Sequence, residues 1–136
     1  MKVVVLDINC LIQILPRSAS HRWLFDEIQN GTIAVAVTTE ILLEYEEIID
    51  LIFEPGVGSD LVELLLSLDT MRLVEPSYRW TMITKDADDD KYVDCAVAAN
   101  VDYLISNERH FAVLDNIDFP KITRLRLNQV KKSLFN

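Results

Sequence analysis

Five carboxylates are placed where they could act together: Asp7, Glu44, Asp90, Asp94 and Glu108. Asp7 follows an apolar run, and Glu108 stands two residues beyond the end of another. Glu44 falls early in a helix-like segment. Asp90 and Asp94 are four apart, so on a helix they share one face. Taken singly, an acid after a strand or in a helix's first turns is usually solvated or stabilised by the helix dipole. As a converging set the five would repel one another strongly at low effective dielectric, and such a cluster makes physical sense mainly around a divalent cation. With neither Cys nor His at ligand spacing, an all-oxygen donor set favours Mg²⁺ or Mn²⁺ over zinc.

The densest acidic stretch is KDADDDKYVDCA, residues 85–96, where Asp86, Asp88, Asp89, Asp90 and Asp94 fall within nine positions. A calcium loop of EF-hand type is excluded: the sixth position is Lys91 where Gly is needed, and the twelfth is Val97 where a bidentate Glu is needed. An aspartyl phosphotransferase built on Asp7 would need a second acid at residue 9, which is Asn9. The spacing instead divides the stretch. Asp86 and Asp88 belong to a solvated approach, Asp89 lies near a helix start, and Asp90 and Asp94 face the site.

The elements that must position these acids follow from periodicity. Residues 2–6, KVVVL, form an unalternating β-branched run, the pattern of a strand buried on both faces. Ser18 or Ser20 is expected to cap a helix bearing Trp23, Leu24 and Ile28, stopped by Asn30-Gly31, with a strand over 32–37. Thr38 and Thr39 cap a helix lined by Ile41, Leu42, Tyr45, Ile48, Ile49 and Ile52, which ends at Pro55-Gly56. A further helix opens at Ser59, and a short strand spans 71–74. Residues 76–88 read as irregular, 89–100 as a helix with small residues at its packing positions, and 102–106 as a strand. Ile122-Thr123 is expected at a sheet edge and residues 127–134 in a terminal helix. Alternating strands and helices imply right-handed crossovers and a parallel sheet with helices on both faces.

The bulk composition sets limits. At 136 residues with half of them apolar, three Gly and no low-complexity tract, the chain reads as a single domain over 1–136. Thirteen basic and twenty-two acidic residues give a formal net charge of −9, which argues against binding nucleic acid through an overall positive field but not through a local basic patch. Cys10 and Cys95 stand alone in apolar runs and read as buried free thiols of a reducing compartment. The first apolar run is too short for a signal segment or a membrane span, so a soluble cytoplasmic protein without membrane association is expected.

Four short motifs, in order, resemble the PIN domain: VVLDIN at 4–9, Glu44 in the helix after the second strand, DADDDKYVDCA at 86–96, and YLISNERHF at 103–111. More narrowly they resemble bacterial PIN proteins classed as toxins of toxin–antitoxin systems. The resemblance runs from residue 1 to about 115. It implies a Rossmann-like three-layer α/β/α sandwich and a metal-dependent endoribonuclease that hydrolyses RNA phosphodiester bonds, with Mg²⁺ or Mn²⁺ as cofactor and an antitoxin protein as partner. By position, Asp7 matches the first catalytic acid, Asn9 its small polar support, and Glu44 the helical Glu. Asp90 and Asp94 match the paired acids of the third motif. Where the family usually shows Asp, this chain has Glu108, one methylene longer. The metal would be held among Asp7, Asp90, Asp94 and Glu108. A PIN-like scaffold of little or no activity that binds RNA or a protein is the alternative, and Glu108 motivates it.

RNA needs cations that the acids do not supply. From Phe119 to Asn136 there is no acid but five bases, Lys121, Arg124, Arg126, Lys131 and Lys132, and Arg109-His110 follow Glu108. Arg109, His110, Lys121, Arg124 and Arg126 are the leading candidates for phosphate contacts, with Arg17, His21 and Arg22 a second group. Ser106 and Asn107 either orient a ligand or water or serve as plain turn residues. Arg79 and Lys85 are expected to pair with nearby carboxylates. Trp23, Phe25 and Phe111 read as core, whereas Trp80 sits in the irregular stretch and is the exception. Leu61, Leu64, Leu65 and Leu68 offer an apolar face, either core or the surface of a homodimer.

Overall fold

The chain's apolar runs become five parallel strands in the computed structural model, which describes residues 1–83 and 87–135. They are β1 (Lys2–Leu6), β2 (Ile33–Val37), β3 (Arg72–Leu73), β4 (Tyr103–Ile105) and β5 (Arg124–Leu125), in the order β3-β2-β1-β4-β5. Every residue of β2 is buried, as are Val4, Val5 and Leu6 of β1, in keeping with a sheet covered on both faces. The register pairs Val4 with Val35 on one side and with Tyr103 on the other, and Leu6 with Ile105. The two edge strands span only two residues each, which leaves little free backbone for pairing with another chain.

The helices are α1 (Ile8–Ile14), α2 (Arg22–Gln29), α3 (Thr39–Ile52), α4 (Val57–Ser67), α5 (Asp90–Ala99) and α6 (Val130–Phe135), with 3₁₀ segments at Ala87–Asp89, Arg109–Asn116 and Leu127–Gln129. The strand order reverses direction between β1 and β4. Right-handed crossovers therefore send the β1-to-β2 connection to one face and the β3-to-β4 connection, α5, to the other. Helix α5 packs on β1, β2 and β4, while α2 packs on β2 and α1 on α2. This is the Rossmann-like α/β/α sandwich. Its topological switch point lies between the carboxyl ends of β1 and β4, where open α/β sheets bind ligands.

Several local expectations shift. Helix α1 was not expected; Asp7 caps it, and its buried side chains are Cys10, Leu11 and Ile14. Helix α2 begins at Arg22 behind His21 rather than behind Ser18 or Ser20, because residues 16–21 fold into turns that the Ala19 N–H and Arg22 N–H close on the carbonyls of Pro16 and Ala19. Helix α4 begins at Val57, before Ser59, since Gly56 takes a left-handed φ of 98° that turns the chain straight into it. Gly58 then lets α4 lie directly on α3: a Cβ there would run into the Glu46 carbonyl oxygen. Leu61 and Leu65 are core, and Leu66 is the leucine α4 leaves half exposed. Strand β5 forms at Arg124–Leu125, two residues later than expected, and the terminal helix proper is α6, preceded by 3₁₀ turns.

Among the described residues no helix is long and apolar enough to cross a membrane. Cys10 and Cys95 are buried free thiols; burial pushes Cys10 up and Cys95 to about 12, so neither offers a thiolate at neutral pH.

Candidate functional site

Asp7 sits at the switch point because β1 ends one residue before it and α1 begins one residue after it. Its backbone is extended (φ −72°, ψ 164°), and its Oδ1 accepts the Cys10 N–H at 2.8 Å, an N-cap that satisfies one of the helix's open donors. The other oxygen, Oδ2, accepts from the Ser106 hydroxyl at the end of β4. Ser106 is fully buried, and its Oγ in turn accepts the Glu108 N–H at 3.0 Å. Asp7 is only 3% exposed, and burial pushes its carboxyl above the usual range. Hydrogen bonds from Ser106 and Cys10 oppose that rise, and the Glu108 charge adds to it.

Glu44 reaches the same turn through a tyrosine. Its Oε1 accepts from the Tyr92 hydroxyl, and its Oε2 pairs with Lys91 Nζ at 2.9 Å. The Tyr92 oxygen also accepts the Ile8 N–H at 3.1 Å, so α3, α5 and the start of α1 meet at one phenol. Burial pushes the Tyr92 hydroxyl far up, keeping it protonated and a donor. Beside it, the buried Tyr45 hydroxyl donates to the Leu6 carbonyl. Sequence reading missed Tyr92, Tyr45 and Lys91 as parts of the site. Tyr92 and Lys91 lie inside the acidic motif, and a phenol and a cation flanked by carboxylates was the available signal.

Asp90 and Asp94 share a face of α5, as their spacing requires, but the partners on that face are backbone amides. Asp94 Oδ1 accepts the Trp80 N–H at 3.0 Å, and Asp90 Oδ1 accepts the Ile83 N–H at 2.7 Å. Between them Thr81 takes a left-handed φ of 49°, an uncommon conformation for a β-branched residue. Asp94 is 4% exposed, and burial raises its pKa; the Trp80 hydrogen bond lowers it, the Asp90 charge raises it, Arg79 lowers it and Glu40 raises it. A cavity of about 500 Å³ beside Asp94 is lined by Thr38, Thr39, Glu40, Arg79 and Lys91, among others. Lys85 and Asp86, with Thr84, lie outside the described residues.

Glu108 is more open than Asp7, Asp94 or Glu44. His110 Nδ1 stands 3.6 Å from its Oε1 and 3.3 Å from Asp89 Oδ2, so the imidazole bridges the two carboxylates. Asn9 is exposed, and its backbone carbonyl accepts from the Gln13 side chain. Asn107 serves the scaffold: its Oδ1 accepts the Leu127 N–H at 2.9 Å. Arg124 is engaged by Asp115 at 3.1 Å, while Arg109, Lys121 and Arg126 are exposed. Phe25 and Phe111 are buried, whereas Trp23 packs at the rim against Phe135.

The structure thus links Asp7 to Glu108 through Ser106, and Asp7's turn to Glu44 through Tyr92. It sets Asp90 and Asp94 against residues 80–83. The donor types suit a hard divalent cation. The arrangement suits it less: among the described residues no group of three or more acids, histidines or cysteines stands close enough together to hold a metal ion. Each of the five carboxylates is instead met by a protein donor or, for Glu108, by the nearby imidazole.

Known proteins place this fold. No curated protein matches the chain. Several solved structures share its architecture, two of them VapBC complexes. The VapBC2 complex of Rickettsia felis, bound to a DNA fragment from its promoter, matches with a TM-score of 0.58 at 14% identity, over 91% of this chain and 98% of that one. The DNA-bound VapBC of Salmonella typhimurium matches with a TM-score of 0.56 at 16% identity, over 93% of this chain and 99% of that one. At such identities the likeness is one of fold. The family model described as the PIN domain matches residues 3–110, most of the chain, and the protein belongs to the PIN domain family.

Proposed function

We propose that this protein is a divalent-metal-dependent endoribonuclease that hydrolyses RNA phosphodiester bonds, acting as the toxin of a toxin–antitoxin pair. The observation that carries the reading is Asp7: a carboxylate buried at the switch point of a PIN fold, held by Ser106 and the Cys10 amide, with Glu108 and Glu44 tied to the same turn. Burying a carboxylate against its desolvation cost is a poor way to stabilise a protein, and such sites tend to be functional. The antitoxin partner is supported by the VapBC complexes that share the fold; a homodimer through helical faces and a cytoplasmic location are further parts of the proposal.

Ser106 holds one oxygen of Asp7 and thereby fixes the direction of the other. Tyr92 does the same for Glu44, and Lys91 offsets that residue's charge. Glu108, half exposed, is placed to accept a proton or orient a water at the rim, with His110 beside it. Asp7, Asp90, Asp94 and Glu108 are the residues that would hold Mg²⁺ or Mn²⁺; the amides of Trp80 and Ile83 engage Oδ1 of Asp94 and Asp90, and the second oxygen of each carboxylate is the one that would face the ion. Bound there, the cation supplies a water of lowered pKa and offsets charge on the phosphoryl oxygens. Arg109, Lys121 and Arg126, all exposed, are the candidates for phosphate contacts, together with His110; Arg124 would first have to leave Asp115.

One observation favours the second reading, a scaffold of little activity that binds RNA or a protein: no three acids are gathered among the described residues. The two readings separate on purified protein incubated with a structured RNA in Mg²⁺ or Mn²⁺ and in EDTA. Metal-dependent cleavage that is abolished in Asp7→Asn and Asp94→Asn supports the nuclease. Metal-independent binding without cleavage supports the scaffold.

A further inference from the structure

Three aromatic rings from two loops meet outside the core. Tyr78 and Trp80 lie edge to face with centroids 4.6 Å apart, and Phe119 meets Trp80 in the same manner at 6.2 Å. Tyr78 is 62% exposed and Phe119 is 83% exposed, while Trp80 is partly buried between them. So large an exposed ring at Phe119 gains little from folding. The cluster is anchored to the candidate site, because the Trp80 N–H is the donor that holds Asp94. Between the two aromatic residues, Arg79 lines the cavity beside Asp94 and forms no salt bridge among the described residues.

We propose that Tyr78, Trp80 and Phe119 form a stacking platform for unpaired bases of single-stranded RNA, with Arg79 contacting the phosphate that leads toward Asp94. The occupant's identity rests on the nuclease reading. Its chemistry fits the residues: every base has a flat face that stacks on exposed aromatic rings without regard to sequence, and a guanidinium beside them complements the backbone charge. Stacking also answers a problem that the charge of −9 creates, since it draws affinity from apolar contact where the overall field repels RNA. A duplex hides its base faces and would not use the platform.

The test uses the full chain in EDTA, so that the probe stays intact, and a fluorescein-labelled single-stranded RNA hexamer read by anisotropy. Phe119→Ala and Tyr78→Ala are each expected to weaken binding about tenfold, whereas Phe119→Tyr retains it. Because both rings are exposed, the melting temperature should hardly move. Arg79→Ala is expected to flatten the dependence of log affinity on log salt by about one phosphate contact. Equal binding by wild type and Phe119→Ala, absence of single-strand binding, or equal preference for a hexamer duplex would overturn the platform. A cleavage assay in Mn²⁺ separates it from the reading it rests on. Ring-dependent binding without cleavage upholds the platform and sinks the nuclease, and cleavage with ring-independent binding does the reverse.

Discussion

Asp7 and Asp94 are both buried carboxylates whose pKa burial raises, yet they are held by different kinds of partner. Asp7 is held from inside: Ser106 is fully buried at the end of β4, and the Cys10 amide belongs to the helix that Asp7 itself caps. Asp94, with Asp90 one turn away, is held from outside, by backbone amides of a segment without helix or strand. The difference teaches where the site is preorganised and where it can adjust. A donor fixed by the sheet moves only if the core moves. The Trp80 amide, on a partly exposed residue, can leave Asp94 at the cost of one hydrogen bond, which water replaces, whereas Ile83 is buried and its amide stays with Asp90.

The largest effects on stability should therefore fall at the Asp7 end. Ser106→Ala removes the donor to a buried carboxylate, and Tyr92→Phe strands the Ile8 N–H while freeing Glu44. Each is expected to cost about 1–3 kcal/mol in urea unfolding at neutral pH. Asp94→Ala should cost less, within about 1 kcal/mol, because the released Trp80 amide can be hydrated. Its signature is local: hydrogen exchange at the Trp80 amide should quicken tenfold or more while that of the β1 and β2 amides stays unchanged. If Asp94→Ala costs as much as Ser106→Ala, the contrast between the two ends is lost.

A smaller effect concerns pH. The folded Asp7 carboxyl titrates above its ordinary value of 3.8, so between the two values the native state binds more protons than the unfolded chain. Its contribution to stability is thus fully present below the ordinary value and is lost as pH rises through the raised one. The melting temperature of Asp7→Asn should accordingly gain on that of wild type as pH increases from 4 to 7, by about a few degrees. A gap that stays constant with pH would show that Asp7 is not strained by its burial.

Much of the frame is legible in the residue order alone. The strands over 2–6 and 32–37, the helix capped by Thr38, and the helix of small residues before β4 all appear, since burial on both faces and helical spacing leave direct marks in residue order. Helix α1 left no such mark. Ile8, Cys10, Leu11, Ile12 and Ile14 are apolar at nearly every position, and the run carries neither period clearly. The acids were legible as types and spacings. What met them was not: the Ser106–Asp7 and Tyr92–Glu44 bonds join residues 99 and 48 positions apart, and the amides that hold Asp90 and Asp94 carry no side-chain signal at all.

The most direct measurement is the rate of RNA cleavage in saturating Mn²⁺ by wild type and by Asp7→Asn, each shown folded by its melting curve. The account predicts that Asp7→Asn lowers the rate by about a hundredfold or more while melting at or above the wild-type temperature at pH 7. Cleavage by Asp7→Asn at the wild-type rate would contradict it.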